Sequence, residues 1–234
     1  MINGEKPPDI RINRISLGPF ERLVLPWMAK RLPEWITPDM LTILGLLASL
    51  LIGASYWLTK NSLNWLWLAN FGLVLHWWAD SLDGTLARVR HIERDRYGFF
   101  VDHYSDTITV FLVCIGMGMS PIIDLRISLL LIIAYNGLAI LVYLVSMTRG
   151  VFKISFAGMG PTEIRMIIII TNTIIWLFGN PQIKVLHMQI TIFDIVGIIC
   201  TIILLAYYLI FGELERRKLS IIDPPRSAKN RDSE

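Results

Sequence analysis

Four aspartates lie within sequence that is otherwise apolar enough for a membrane. Asp80 and Asp83 are three residues apart, and Asp102 and Asp106 are four residues apart. On helices, each spacing places both carboxylates of a pair on one face. Two such faces turned toward each other would form an oxygen-only site, which suits Mg²⁺, Mn²⁺ or Ca²⁺. The pattern therefore predicts a divalent metal site with these aspartates as its ligands.

Small and basic residues accompany the acids. Gly84 and Ala87 lie beside the first pair, and Gly98 precedes Asp102 by about one helical turn. Small side chains there would let another helix, or a flat ligand, approach closely. Arg88 carries a guanidinium that suits a phosphate oxygen. The alternative is a set of solvated charges at two helix ends, which would need neither the ordered spacing nor the small residues.

The surrounding sequence is typical of an integral membrane protein. Of its 234 residues, 54% are hydrophobic, whereas soluble domains contain about 45–50% apolar residues. The two cysteines, Cys114 and Cys200, lie in apolar runs and indicate neither a disulfide framework nor a zinc site. The net charge of +3 is small, and we expect no nucleic-acid partner. Continuous apolar runs of about 20 residues favour membrane helices over a barrel.

We expect an all-α membrane domain with six transmembrane helices. The predicted spans are residues 40–58, 65–88, 97–119, 127–147, 162–177 and 189–211. The transmembrane domain is expected at residues 39–211, between a cytoplasmic arm at 1–38 and a polar tail at 212–234. Within the arm, residues 16–34 mix apolar and charged positions, which predicts an amphipathic helix in the membrane interface. An extended lead-in to the first span is the alternative.

The basic residues predict which side of the membrane the acids face. Of the 22 Lys and Arg residues, eighteen lie in the arm, in the loops after the second and fourth spans, and in the tail. By the positive-inside rule, both termini are cytoplasmic, in agreement with an even number of spans. All four aspartates then lie at similar depth near the cytoplasmic side. We expect a multi-pass protein of an inner, plasma or internal membrane, with a cytoplasmic site.

The complete motif, D-x2-D-G-x2-A-R-x9-G-x3-D-x3-D, resembles the signature of the CDP-alcohol phosphotransferases, integral membrane enzymes of phospholipid synthesis. Every signature position is matched, by Asp80, Asp83, Gly84, Ala87, Arg88, Gly98, Asp102 and Asp106. Residues 37–42 are similar to the T-P-N-x-L-T start of the family's first span, with Asp39 in place of the usual Asn. Thr37 and Pro38 there predict a helix cap and a first turn.

The resemblance implies the reaction and its cofactors. Two ions, Mg²⁺ or Mn²⁺, would bind the four aspartates and the diphosphate of a CDP-alcohol, and Ca²⁺ would be an occupant without turnover. Neutralised charge makes CMP a better leaving group, and an acceptor hydroxyl attacks the phosphate that carries the alcohol. Gly84, Ala87, Arg88 and Gly98 would bind the CDP moiety. The resemblance also implies a homodimer, with the lipid substrate entering from the bilayer.

The proton acceptor has two candidates. In the family the last aspartate of the motif is the favoured general base, which is Asp106 here. His103 lies in a D-H-x2-D arrangement that resembles the choline and ethanolamine phosphotransferase branch, in which a histidine at this place is a candidate base. A histidine has an ordinary pKa of about 6.5, which suits proton transfer. Alternatively, His103 only hydrogen-bonds to a neighbouring carboxylate.

Residues near the fifth span bear on the substrates. The run at 160–163, Gly-Pro-Thr-Glu, resembles a run in the choline/ethanolamine branch and favours a CDP-choline-like or CDP-ethanolamine-like donor with a diacylglycerol-like acceptor. The combination of Glu163 with Arg165 is also similar to the branch that uses CDP-diacylglycerol. There, basic residues such as Arg149, Lys153 and Arg165 would bind a polar acceptor such as inositol phosphate, serine or glycerol phosphate. An internal Glu–Arg pair is a further alternative.

A cation-coupled transporter is the rival from another class. It would need inverted repeats and helices broken near the membrane midplane. Neither is evident in the sequence, and the acids lie toward one face of the predicted bundle.

Overall fold

The structure is a computed structural model that describes residues 18–149, 161–185 and 188–225. A short helix, α1 (Gly18–Ala29), precedes six long helices. These are α2 (Pro38–Leu58), α3 (Trp65–Arg90), α4 (Asp95–Gly118), α5 (Leu125–Arg149), α6 (Pro161–Phe178) and α7 (Ile192–Ile222). Between α6 and α7, strands β1 (Ile183–Val185) and β2 (Met188–Ile190) form an antiparallel hairpin in which Ile183 pairs with Ile190. The predicted all-α class is confirmed.

Five helices, α2, α4, α5, α6 and α7, are long and apolar enough to cross a membrane. Helix α3 is 26 residues long but carries the charged motif in its last third. It packs against α1, α2 and α6, so much of its surface is covered by protein rather than lipid. A multi-pass membrane protein is therefore confirmed, and the expected sixth span depends on α3.

Glycines allow α2 to pack closely on both α3 and α4. A Cβ atom at Gly72 would lie 2.7 Å from Cγ1 of Ile52, and one at Gly53 would lie 2.5 Å from the carbonyl oxygen of Leu112. Gly116 lies against Gly53 at the same crossing. Larger residues would force the backbones apart. Helices α3 and α4 make few direct contacts with each other in the described part of the chain. Helix α2 is thus the common support of the two helices that carry the aspartates.

Buried polar side chains join α6 to α2 and α3. The hydroxyl of Tyr56 donates to Oδ1 of Asn172 at 3.1 Å, and Nδ2 of Asn172 donates to Oδ1 of Asn70 at 2.7 Å. Within a membrane such groups need partners inside the protein, because lipid supplies none. Asn172 lies seven residues after Arg165, about two turns along α6. The network therefore fixes the helix that presents Arg165.

Helix α1 confirms the helix expected within residues 16–34, over Gly18–Ala29. On one side, Leu25 and Ala29 pack against a buried cluster that includes Leu82 of α3. On the other side, Trp27 is 56% exposed. At the next helix start, Thr37 caps α2 as predicted, since its Oγ1 accepts from the backbone N–H of Met40 at 3.2 Å.

The last predicted span differs most from the structure. Its expected start at residue 189 was wrong, because a capping box begins α7 later: the Asp194 N–H donates to Oγ1 of Thr191 at 3.1 Å, and the Thr191 N–H donates to Oδ2 of Asp194 at 2.8 Å. The helix itself continues beyond residue 211, the expected end of the span, and ends at Ile222. Ion pairs one turn apart, such as Arg217 with Glu213 at 2.7 Å, stabilise the polar extension.

Candidate active site

The aspartates lie on two helices that both rest on α2. Asp80 and Asp83 are in the last third of α3, and Asp102 and Asp106 are in the first half of α4. Asp80, Asp83 and Asp102 all interact electrostatically with Asp106, and Asp83 also interacts with Asp80 and Asp102. The structure thus brings the two predicted pairs into one neighbourhood, which we call the aspartate cluster.

Both aspartates of α3 have partners on other elements or in their own backbone. Oδ2 of Asp80 lies 2.7 Å from Nη2 of Arg165 on α6. Oδ2 of Asp83 accepts from the hydroxyl of Thr42 on α2 at 2.8 Å, and its Oδ1 accepts from the Gly84 N–H at 2.5 Å. These contacts fix how the α3 carboxylates are oriented.

On α4, the imidazole of His103 lies beside Asp102 of the aspartate cluster. The side chain of Asp102 is 50% exposed, and its Oδ2 lies 3.5 Å from Nδ1 of His103. The His103 ring contacts Phe99 edge-on at 4.3 Å between centroids, and it lies 5.0 Å from the ring of Tyr143 on α5. Two aromatic neighbours therefore restrict the orientation of the imidazole.

The motif glycines face open space, unlike the glycines at the helix crossings. A Cβ atom at Gly98 would have nothing within 4 Å, and one at Gly84 would meet only the guanidinium of Arg88, at 3.4 Å. Arg88 is exposed and donates to the hydroxyl of Thr85 at 3.0 Å. Ala87, which precedes it, is half-buried. Packing within the chain does not require glycine at positions 84 and 98, so the space beside them is available to a ligand.

Helix α1 and the α3–α4 loop are tied to the helices of the site. Oε1 of Glu21 accepts from Nε1 of Trp77 on α3 at 3.0 Å and from the hydroxyl of Thr162 on α6 at 2.8 Å. Asp39, in the first turn of α2, pairs with Arg94 at 2.5 Å. Asp39 thus acts as an ion-pair partner of the loop, while Thr37 provides the cap.

Arg90, the last residue of α3, binds the segment between α1 and α2. Its guanidinium donates to the carbonyl oxygens of Leu32 at 3.1 Å, Pro33 at 2.9 Å and Ile36 at 2.5 Å. A planar guanidinium with several donors can satisfy a group of carbonyls in this way, whereas a lysine ammonium cannot match the geometry. The contact holds the end of α3 beside the start of α2.

Comparison with known proteins gives a match over most of the chain. The family model for CDP-alcohol phosphatidyltransferase matches residues 35–207, which include the aspartate cluster and extend from α2 through the first half of α7. The chain belongs to the CDP-alcohol phosphatidyltransferase family. The resemblance inferred from the motif is thereby confirmed, and with it a family of transferases that act on phosphate-containing groups in phospholipid synthesis.

Two relatives of the family are cholinephosphotransferases. Cholinephosphotransferase 1 of Gallus gallus is 24% identical over 202 residues, which cover 80% of this chain and 58% of that protein. Cholinephosphotransferase 1 of Danio rerio is 30% identical over 107 residues, which cover 41% of this chain and 28% of that protein. The chain spans less than two thirds of the length of either relative.

The metal ligands implied by membership of this family fit the aspartate cluster in chemistry. Four carboxylates without a thiolate among them suit Mg²⁺ or Mn²⁺. In the described part of the chain, however, no three His, Cys, Asp or Glu side chains are arranged to hold one ion. The contacts of Asp80 with Arg165 and of Asp83 with Thr42 are consistent with this. An ion bound through Oδ2 of Asp80 would have to displace the guanidinium of Arg165 from that oxygen.

The residues predicted for the acceptor in this family do not all meet at the aspartates. Arg165 reaches the aspartate cluster, and Glu163 is half-buried in the first turn of the same helix. Arg149 instead pairs with the buried Glu215 on α7. Lys153 lies outside the described residues.

Sequence reasoning missed two tyrosines of α5. Tyr135 interacts electrostatically with Asp106 and Asp80, and Tyr143 with Asp106 and Asp102. The available signal was their spacing of eight residues, about two helical turns, in an otherwise apolar span. Helix α5 therefore contributes hydroxyl groups to the neighbourhood of the aspartates.

Proposed function

We propose that this chain transfers a phospho-alcohol group from a CDP-alcohol to a hydroxyl acceptor and releases CMP. The observation that carries the proposal is the convergence of the two aspartate pairs beside Gly84 and Gly98. An added Cβ would meet nothing within 4 Å at Gly98 and only the flexible Arg88 side chain at Gly84. Carboxylates and open backbone on adjacent helices suit a metal-bound diphosphate joined to a flat nucleoside. Membership of the family supports this reaction class.

For the substrates, we infer a donor like CDP-choline or CDP-ethanolamine and an acceptor like diacylglycerol. Two relatives are named cholinephosphotransferase, and His103 and the run at 160–163 resemble that branch. The alternative is CDP-diacylglycerol with a phosphorylated acceptor, which would favour a group of basic side chains. The pairing of Arg149 with Glu215 removes one member from such a group.

Asp80, Asp83, Asp102 and Asp106 would hold two Mg²⁺ or Mn²⁺ ions. When bound, these ions would neutralise the diphosphate and stabilise CMP as the leaving group. Gly84, Ala87 and Gly98 would admit the cytidine, and the guanidinium of Arg88 would bind a phosphate oxygen; the lack of packed backbone around Gly84 and Gly98 supports this. The protein would thus contribute mainly position and electrostatic stabilisation.

In the transfer step, the acceptor oxygen bonds to the phosphorus that carries the alcohol, and the bond from that phosphorus to the CMP oxygen breaks. The electron pair leaves with CMP, and the acceptor proton passes to a base of the protein. We assign this base to Asp106, which interacts with all the other aspartates of the cluster. His103 is the second candidate because Phe99 and Tyr143 hold its ring beside Asp102.

The proposal is tested with the protein purified in detergent and supplied with Mg²⁺ or Mn²⁺. CDP-choline, CDP-ethanolamine and CDP-diacylglycerol are each paired with suitable acceptors, and CMP release is measured. We expect CMP from CDP-choline or CDP-ethanolamine in the presence of diacylglycerol. CMP release with CDP-diacylglycerol but with neither of the other two donors would establish the alternative donor. No CMP release with any pair of donor and acceptor would reject the transferase function.

A further inference from the structure

The pair between Arg165 and Asp80 links α6 to the aspartate cluster. Nη2 of Arg165 lies 2.7 Å from Oδ2 of Asp80, and the two side chains are only 14% and 24% exposed. A charged hydrogen bond at this depth is stronger than one at an exposed surface. Arg165 therefore occupies a carboxylate that the proposed function assigns to a metal ion.

The influence of Arg165 extends beyond this single contact. Its charge also acts on Asp106, on His76 and on Tyr135. Arg165 thus supplies positive charge to a group of carboxylates that would otherwise repel one another. Divalent ions would also reduce the repulsion among these carboxylates. The guanidinium of Arg165 and the ions would therefore both bind Asp80.

The position of α6 is fixed on both sides of Arg165. Thr162, one turn before it, donates to Glu21, and Asn172, about two turns after it, bonds to Tyr56 and Asn70. A change of partner at Asp80 can therefore occur by rotation of the long Arg165 side chain, without movement of the helix.

A buried histidine, His76, lies near the Arg165–Asp80 pair and bears on whether the Arg165 side chain can leave Asp80. His76 is 4% exposed and lies one turn before Asp80, with Nε2 at 3.1 Å from the hydroxyl of Thr109. Its Nδ1 is buried and has no hydrogen-bond partner among the residues that the structure describes. Buried polar atoms normally have partners. A polar group that moved toward His76, such as a rotated Arg165 side chain or a water molecule, would find a buried nitrogen there without a partner among the described residues.

We propose that Arg165 and the metal ions compete for Asp80. Without bound ions, Arg165 pairs with Asp80 and offsets part of the negative charge of the aspartate cluster; when ions bind, it releases Asp80 and becomes available to a phosphate oxygen of the donor. This inference rests on the proposed function, because the ions and the donor are those of the transferase reaction.

The test measures Mn²⁺ binding by electron paramagnetic resonance in the purified full chain, without nucleotide. Arg165→Gln and Arg165→Met remove the guanidinium, and Arg126→Gln is the matched control. Arg126 also pairs with an aspartate at 2.7 Å, but it lies beyond the far end of α4. Loss of a competing charged hydrogen bond should tighten Mn²⁺ binding by about 10-fold or more, and Arg126→Gln should leave it unchanged.

A second comparison separates competition for Asp80 from a general effect of charge. In an Asp80→Asn background, Arg165→Gln should change Mn²⁺ affinity by less than about 3-fold, since the shared carboxylate is gone. CDP binding at saturating Mn²⁺ should weaken in the Arg165 variants while Mn²⁺ binding tightens. Simple damage to the fold would weaken both.

Two results would overturn the inference. One is Mn²⁺ binding that is unchanged or weaker in both Arg165 variants, and the other is equal tightening with and without Asp80. Release of CMP by the wild type is measured on the same preparations. If CMP is released but Mn²⁺ binding does not respond to Arg165, this inference fails and the transferase function stands. If no donor yields CMP but Mn²⁺ binding tightens in the Arg165 variants, the competition for Asp80 stands and the transferase function fails.

Discussion

The carboxylate of Asp106 is assigned two roles, as a metal ligand and as the base that accepts the proton of the acceptor hydroxyl. Asp106→Asn keeps the size of the side chain but removes its charge and its basicity. We expect CMP release to fall by about 10²–10⁴-fold, the usual contribution of a general base. The measurement is CMP release at saturating donor, with folding checked by gel filtration.

Asp124→Asn is the matched control for Asp106. Asp124 lies in the loop before α5, and hydrogen bonds from Arg126 hold the pKa of its carboxyl below the usual range. The control therefore also replaces a charged aspartate, but one remote from the aspartate cluster. Full activity of Asp106→Asn, or an equal loss in Asp124→Asn, would contradict the assigned role.

Alanine substitutions at different glycines distinguish positions that border a ligand from positions that allow helices to pack closely. Gly98→Ala places a methyl group where the chain has nothing within 4 Å, so stability should be unchanged or raised by up to about 1 kcal/mol from helix propensity. We expect the same variant to raise KM for the CDP-linked donor at least several-fold, because the methyl group occupies ligand space. KM and thermal midpoint are measured on the same preparation.

Two other glycines complete that comparison. Gly137 on α5 also has nothing within 4 Å of an added Cβ, so Gly137→Ala should leave KM at the wild-type value, with stability unchanged or raised by up to about 1 kcal/mol as for Gly98→Ala. Gly116→Ala should lower the thermal midpoint because Gly116 meets Gly53 at the α2–α4 crossing. A donor KM in Gly98→Ala equal to that of Gly137→Ala would argue against a ligand beside Gly98.

Among the elements, the segment between α1 and α2 depends on one side chain at the end of α3. Arg90→Lys retains the charge but not the fork of donors that reaches Leu32, Pro33 and Ile36. Loss of hydrogen bonds to a charged group should lower stability by about 1.5–3 kcal/mol. Denaturation in detergent measures this, with Arg96→Lys, an exposed residue of α4, as the control. Equal stability of the two variants would show that the contact contributes nothing.

The elements also show what sequence could and could not predict. The start of α2 was predictable because Thr37 and Pro38 act through local geometry. The motif aspartates were predictable because their spacing is helical. The extended end of α7 was missed because apolar content, the signal used for span limits, ends before the helix does, and pairs such as Arg217 with Glu213 continue it. The partner of Asp80 was missed because Arg165 is 85 residues away along the chain.

For the whole molecule, the predicted orientation places the aspartate cluster near the cytoplasmic side of the membrane. In a variant without Cys114 and Cys200, single cysteines at Asn61 and at Glu93 would lie in the loops before and after α3. We expect an impermeant thiol reagent to label position 93 only from the cytoplasmic side and position 61 only from the opposite side. Both loops are exposed, so access itself is not limiting.

Labelling of both positions from one side would show that α3 does not cross the membrane. It would also reduce the number of spans to the five helices that meet the length and hydropathy of a span by themselves. Reversed labelling would contradict the charge distribution as a guide to orientation.

Because α3 and α4 are each supported by α2 and make few contacts with each other, the width between their charged ends is not set by direct packing. A ligand bound between the charged ends of α3 and α4 can therefore help to set the distance between them. Under the proposed function, such a framework would accommodate alcohols of different sizes through changes in the residues that line the gap, while the Gly53–Gly116 crossing stays unchanged. Substrate range and structural stability would then be separable properties of this fold.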